Sequence, residues 1–219
     1  MIAMILAAGR GERMRPLTDT LPKPLLLVRG ATLIDHLITQ LAQAGFVDIV
    51  INVAHLGYRI QEHLDHGQHL GVRIRYSDEG PAGLETGGGI RRALPLLTSD
   101  PFVVVNGDIY TDYPFAQLPK ALTGLAHLVL TDNPPHNPQG DFGLDKGSVV
   151  DYGPHLTFTG VGIYRTALFA EIKEERFPLA PLLLRAIKQG RVTGERYNGL
   201  WTDVGTPERL AALNRGYDD

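Results

Sequence analysis

A doubly wound, mostly parallel α/β sheet carrying a smaller lobe is the fold this chain predicts, and three observations point there. Strand-like and helix-like stretches alternate as far as residue 132. The stretch Phe102 to Val105 is apolar at every position, as a strand covered on both faces must be. The first strand runs directly into a glycine-containing loop, the start of many ligand-binding α/β sheets.

The elements follow in order. Met1 to Leu6 is the opening strand. Leu33, Ile34, Leu37, Ile38, Leu41 and Ala42 recur at helical spacing behind Thr32, a side chain suited to cap the helix. Strands are predicted at 49–53, 72–76, 102–106 and 126–130, with helices at 56–64 and 86–94, the latter stopped by Pro95. Such a β-α-β-α order implies parallel strands joined by crossovers. After the Asn- and Pro-rich loop 132–138, short strands are expected at 140–144, 148–152 and 156–164. A helix over 179–188 precedes Gly190, residues 191–204 read as a closing hairpin, and Thr206-Pro207-Glu208 opens a last helix with a cap and a first-turn proline. The whole is read as one domain, 1–219, with a first half to about residue 132 and a smaller second lobe facing the carboxyl ends of the first strands.

Composition narrows the function. The chain has 219 residues, 43% of them hydrophobic, and a net charge of −3, so nothing draws it to nucleic acid or to a membrane surface. The distribution says more. Residues 1–29 hold five basic side chains against Glu12 and Asp19, a net of +3, which leaves −6 for the remainder. A basic entrance on an acidic body suits an anionic small ligand. Cysteine is absent, which removes disulfides, thiolate metal sites and a cysteine nucleophile. No apolar run approaches the ~18 residues of a spanning helix, and the chain opens as a strand without a leader, so a cytoplasmic protein is expected. Oligomeric state is not legible.

The basic entrance has a definite form. Leu6-Ala7-Ala8-Gly9-Arg10-Gly11-Glu12-Arg13-Met14-Arg15-Pro16 is followed by Lys23 clamped between Pro22 and Pro24. Glycines let backbone N–H groups approach an anion, arginines supply forked donors, and prolines restrict the Lys23 backbone. A dinucleotide fingerprint fails because Met14 stands at the third glycine position, and a Walker loop fails for want of Gly-Lys-Ser/Thr. Asn106-Gly107-Asp108 follows the all-apolar strand, where a carboxylate is placed to hold Mg²⁺. Asp203, also between a strand and a helix start, is the natural second ligand. Gly83-Leu84-Glu85-Thr86-Gly87-Gly88-Gly89 reads as a glycine-rich turn into a helix, able to approach a flat ring closely. His63, His66 and His69 recur every third residue but read as solvated side chains at a helix end.

The run L-A-A-G-R-G-E-R-M-R-P-L-T with P-K-P-L resembles the signature of the sugar-1-phosphate nucleotidyltransferases, and similar features continue to Asp203-Val204-Gly205-Thr206. The resemblance implies a Rossmann-like nucleotidyltransferase domain with a sugar-binding lobe. It implies a Mg²⁺-dependent reaction between a nucleoside triphosphate and a sugar 1-phosphate, with release of pyrophosphate. It also implies catalytic roles for Arg15, Lys23 and Asp108. The nucleotide would lie along residues 6–9, Gly11, Glu12, Arg13, Met14, Arg15, Lys23, Gly83, Glu85, Thr86, Gly87 and Asn106. Asp141, Gly143, Thr159 and Gly160 would hold the sugar, and Asp108 and Asp203 the metal. Within the family, the short chain and the L-E-T-G-G-G, G-D-F and F-T-G segments look most like the uridylyltransferases of cell-wall recycling, implying UTP and N-acetylmuramic acid α-1-phosphate. Mannose-1-phosphate guanylyltransfer and glucose-1-phosphate uridylyl- or thymidylyltransfer stay open. The family's Glu-Lys-Pro segment is missing: Val149-Val150-Asp151-Tyr152 stands there. That leaves Arg165 and Lys146 as candidates to neutralise the sugar phosphate. A nucleotide-sugar sensor without catalysis would be expected to lack Lys23, Asp108 or Asp203, and all three are present.

Overall fold

The computed structural model describes residues 1–215. Strand β1 (Ala3–Leu6) leads through short 3-10 turns to a small hairpin, β2 (Leu27–Val28) and β3 (Ala31–Thr32), and into helix α1 (Leu33–Gln43). Thr32 caps α1, its hydroxyl oxygen accepting the Asp35 N–H at 3.2 Å, an interaction worth about 1 kcal/mol. There follow β4 (Asp48–Val53), α2 (Gly57–Leu64), β5 (Arg73–Asp78), α3 (Glu85–Ala93), β6 (Phe102–Asn106), β7 (Ile109–Thr111) and β8 (Ala126–Thr131). The second half contains β9 (Phe142–Asp145), β10 (Ser148–Val150), β11 (His155–Tyr164), α4 (Leu179–Lys188), β12 (Val192–Arg196), β13 (Trp201–Asp203) and α5 (Pro207–Asn214).

Nine strands share one sheet in the order β5-β4-β1-β6-β11-β8-β12-β10-β9. Within it β11 and β10 run antiparallel to their neighbours, and the other strands point one way. The sheet is covered on both faces. Ala3, Ile5, Val103 and Val105 pack beneath Leu37, Ile38, Ile60 and Leu64 of α1 and α2. Their alternates Met4, Phe102 and Val104 pack with Ile90, Leu179 and Leu183 of α3 and α4. Burying each large apolar side chain contributes ~1.5–3 kcal/mol, which is why Phe102 to Val105 has no polar position.

The sheet continues across residue 132, since β11 of the second half lies between β6 and β8, and β12, β10 and β9 extend the sheet beyond β8. Residues 191–204 do not form the expected hairpin. β12 pairs parallel with β8, whereas β13 leaves the sheet to pair antiparallel with β7, Asp203 opposite Ile109. The crossing is fixed by backbone bonds: Tyr197 N–H donates to the Leu130 carbonyl at 2.7 Å, and Asp112 N–H to that of Leu200 at 3.1 Å. One partner strand cannot serve both segments.

β1 lies between β4 and β6, and the chain visits β4 and β5 before returning to β6. The carboxyl ends of β1 and β6 therefore frame the crevice at which open α/β sheets bind ligands. Everything that follows sits there.

Candidate active site

The loop after β1 is held from three sides. Ala7 N–H donates to Asn52 Oδ1 at 2.7 Å, and the Thr18 hydroxyl donates to the Gly11 carbonyl at 2.8 Å. Gly11 has φ +64°, and a Cβ there would stand 3.0 Å from the Thr18 methyl, so both conformation and space require glycine. Met14 is wholly buried with Leu33, Val204 and Leu213, anchoring the loop to α1 and α5. Lys23 opens a 3-10 turn between its two prolines. Its side chain is only 10% exposed, and Nζ donates to Asp108 Oδ2 at 2.5 Å.

Sequence reasoning passed over the opposite wall. Asn52, which accepts from Ala7, donates through Nδ2 to Glu79 Oε1 at 2.5 Å, and Glu79 Oε2 accepts the Leu84 N–H at 2.7 Å. Both side chains are buried. This relay ties the carboxyl ends of β1, β4 and β5 to the start of α3. The available signal was a lone polar residue in the apolar stretch Ile49 to Val53. Gly87, Gly88 and Gly89 lie inside α3, within the helix expected over 86–94, and the turn before it ends at Leu84. Their missing side chains admit the Phe177 ring, the Glu175 carbonyl and the Glu79 carboxylate, each within 2.5 Å of where a Cβ would stand. Each helical glycine costs ~1 kcal/mol relative to alanine, and here close packing is the return.

These walls enclose a cavity of 570 Å³. Residues 6–14, Lys23, Gly83, Glu85, Thr86, Asn106 and Asp108 line it, as do Asn52, Glu79, Arg176 and Gly205. Arg15 and Gly87 do not. Arg15 points outward and pairs with Asp19 at 3.3 Å, both exposed, and Gly87 faces Phe177.

A second cavity of 480 Å³ shares Leu6, Thr86 and Asn106 with the first. Asp141 and Gly160 line it, against an apolar wall that includes Phe142, Phe158, Leu179 and Leu183. Asp141 Oδ2 accepts the Phe158 N–H at 2.8 Å. Gly160, with φ +80°, sits in a bulge of β11 that presses on Asn106; a Cβ would come within 2.5 Å of its Nδ2. Thr159 and Gly143 lie outside the cavity. The Thr159 hydroxyl donates to the Val129 carbonyl at 2.7 Å, and Gly143 packs on the Tyr152 carbonyl.

Asp203 reaches Asp108 through the β7–β13 ladder, with Val204 N–H donating to the Asp108 carbonyl at 2.8 Å. Its Oδ1 lies 2.5 Å from Arg209 Nη1 and 2.8 Å from His136 Nε2. Asp203 itself lines neither cavity; its carboxylate and that of Asp108 are hard oxygen donors of the kind Mg²⁺ takes. Among the described residues no group of three His, Cys, Asp or Glu gathers to hold a metal, so substrate phosphates and water would complete its shell. Neither Arg165 nor Lys146 lines either cavity. Arg165 follows Tyr164, which pairs with Phe102 at the far end of β6, and its guanidinium donates to the Leu122 carbonyl at 2.5 Å. Lys146 sits in the exposed β9–β10 turn. His63 pairs with Asp35 at 2.9 Å. Among the described residues no helix is long and apolar enough to cross a membrane.

Residues 2–152 match the family model described as nucleotidyl transferase. The chain is 53% identical to an N-acetylmuramate alpha-1-phosphate uridylyltransferase of Neisseria meningitidis, over 96% of this chain and 95% of that one. It is 36% identical to the enzyme of the same name from Caulobacter vibrioides, over 98% and 96%. Solved structures share the fold: HddC from Yersinia pseudotuberculosis complexed with GMP-PN, at TM-score 0.79, 19% identity and 98% coverage of each chain, is one. The inositol-1-phosphate CTP transferase from T. maritima is another, at TM-score 0.76 and 19% identity over 98% and 96%. Sequence signature, cavity and relatives agree: the chain belongs to the sugar-1-phosphate nucleotidyltransferase family.

Proposed function

We propose that the protein joins UTP to N-acetylmuramic acid α-1-phosphate, giving UDP-N-acetylmuramic acid and pyrophosphate. The observation that carries this reading is the sharing of Leu6, Thr86 and Asn106 by the two cavities, beside the Lys23–Asp108 pair. A triphosphate in one and a sugar phosphate in the other would meet there. The relatives at 53% and 36% identity support the substrate pair. So does the apolar wall of the second cavity, which suits the methyl groups of acetamido and lactyl substituents.

A sugar-phosphate oxygen attacks the α-phosphorus of UTP; the new P–O bond forms as the bond to the β-phosphate oxygen breaks, and pyrophosphate carries away the electron pair. No protein nucleophile is needed, so catalysis rests on position and charge. Lys23 meets the charge that grows at the α-phosphate. Backbone N–H groups of residues 9–11, with Arg10 and Arg13, hold the β- and γ-phosphates, and Arg15 joins them by exchanging Asp19 for phosphate oxygens. Residues 83–86 flank the base, and Asp141 accepts from a sugar hydroxyl through the oxygen that Phe158 leaves free. Mg²⁺, the ion characteristic of the family, would be held by Asp108 and Asp203 and would screen the two phosphates from each other.

The test is pyrophosphate release from UTP, GTP, CTP and dTTP, each with N-acetylmuramate, N-acetylglucosamine, glucose and mannose 1-phosphates. The expected best pair is UTP with N-acetylmuramate 1-phosphate. A higher kcat/KM for GTP with mannose 1-phosphate would replace the substrate assignment, and no release from any pair would end the reading.

A further inference from the structure

We propose that Arg209 receives the phosphate group of the sugar 1-phosphate. This deepens the reaction proposed above and rests on it. Transfer brings a phosphate monoester against the α-phosphate of the nucleotide, and Lys23 is committed to the nucleotide side, where it lines the larger cavity. A second cation has to stand between the cavities.

Arg209, on α5, lies directly behind Gly205 in the wall of the larger cavity. Its guanidinium lines neither cavity; it touches Gly205, which lines the larger one, and His136, in the loop leading to the smaller one. Gly205 lines the larger cavity, and a Cβ there would lie 2.2 Å from Arg209 Nη2. His136, 2.7 Å from Arg209 Nη1, belongs to the loop that ends in Asp141 of the smaller cavity. The Arg209 side chain is 18% exposed, enough to be met by a ligand while its stem stays packed. Arg196 pairs with Asp132 at 2.5 Å and Arg176 with Glu85 at 3.4 Å on the base side; Arg209 is paired as well, but its partner Asp203 is shared with His136.

The local contacts favour an exchange of partners. Arg209 Nη1, His136 Nε2 and Asp203 Oδ1 form a triangle with sides of 2.5, 2.7 and 2.8 Å. An imidazole nitrogen carries either one N–H or one lone pair. It cannot donate to Asp203 and also accept from Arg209, so one side of the triangle is unsatisfied in either tautomer. A phosphate arriving at the guanidinium gives its donors new acceptors, and the fork shape matches two phosphate oxygens as an ammonium would not. Asp203 is then left to His136 and to the metal.

The test compares Arg209→Ala and Arg209→Lys with the wild type in steady-state kinetics, UTP affinity by calorimetry, and Mn²⁺ affinity in the presence of UTP. Loss of a charge-assisted hydrogen bond is expected to raise KM for the sugar 1-phosphate by about 10- to 100-fold in Arg209→Ala, with partial recovery in Arg209→Lys. UTP affinity should stay within about twofold, and inorganic phosphate, a competitor of the sugar phosphate in the wild type, should lose its inhibition. An unchanged KM for the sugar phosphate overturns the assignment. So does a defect confined to Mn²⁺ affinity, which would make Arg209 a support for Asp203 alone. Should Arg209→Ala fail to fold, Arg209→Lys decides by the same two readouts. Wild-type protein that releases no pyrophosphate from any pair fails the underlying reaction instead, so the two failures are distinct.

Discussion

Lys23 Nζ lies 2.5 Å from Asp108 Oδ2, a nearly buried ammonium against a carboxylate one-third exposed. Each arrives from a different segment: Lys23 from a proline-braced turn, Asp108 from the end of the all-apolar strand β6. Without ligand the two neutralise each other. A triphosphate therefore meets a cation whose place is already set, and no long lysine side chain has to be ordered at that step.

Lys23→Ala and Asp108→Asn are expected to lower kcat by ~10²–10³, the loss seen when one preorganised donor is removed from a transition state. Thermal unfolding should drop only modestly in Lys23→Ala. Removing one partner of a wholly buried pair costs ~3–5 kcal/mol, but Asp108 keeps access to water. Single-turnover kinetics at saturating substrates provides the measurement, and near-normal turnover in either variant removes the pair from the mechanism.

Arg15 and Asp19 make an i,i+4 pair at 3.3 Å with both side chains more than half exposed. Such pairs contribute ~0–1 kcal/mol, so the arginine can leave at little cost. Arg15→Ala is expected to leave the melting temperature unchanged while lowering kcat/KM for UTP by about 10-fold or more. Asp19→Asn should affect neither. Equal losses in both variants would mean that the pair matters for loop structure, not for phosphate binding.

Much of this was legible in sequence for a physical reason. The strand Phe102 to Val105 and the stripe from Leu33 to Ala42 each obey one period, and burial enforces that period locally. The loop from Leu6 to Met14 announced itself through glycine and arginine. The Asn52–Glu79 relay did not, because its two residues are 27 apart and acquire meaning only when parallel strands align their ends. Residues 191–204 failed for the same cause. A pair of short strands looks like a hairpin until distant partners, β8 and β7, compete for them. The glycines of α3 were visible, but what they admit comes from residues 175–177, far along the chain.

Asn52→Ala removes both an acceptor for Ala7 N–H and a donor to Glu79. Buried groups left without partners cost ~1–3 kcal/mol each, so urea denaturation should show a loss within a few kcal/mol. Because the relay sets two walls of the larger cavity, KM for UTP should rise more than KM for the sugar phosphate. Equal changes in both would place the relay in general stability.

His127 offers a test by pH. It lies on β8, buried, with Nδ1 2.9 Å from the Thr193 hydroxyl, and among the described residues Nε2 has no hydrogen-bond partner. Burial holds its pKa below the ordinary 6.5, against the opposite pull of the Glu195 carboxylate, 3.9 Å away. Tyr113 donates to that same carboxylate, which draws charge away from the imidazole. Between the folded and unfolded values the unfolded chain binds more protons, so acidification favours unfolding. The stabilisation is complete above about pH 6.5 and is lost as pH falls through the folded value. His127→Gln keeps a polar side chain without the titration. Urea midpoints measured from pH 7.5 to 5.5 should fall more steeply for the wild type than for this variant. Parallel curves would show that other groups govern the acid sensitivity of the fold.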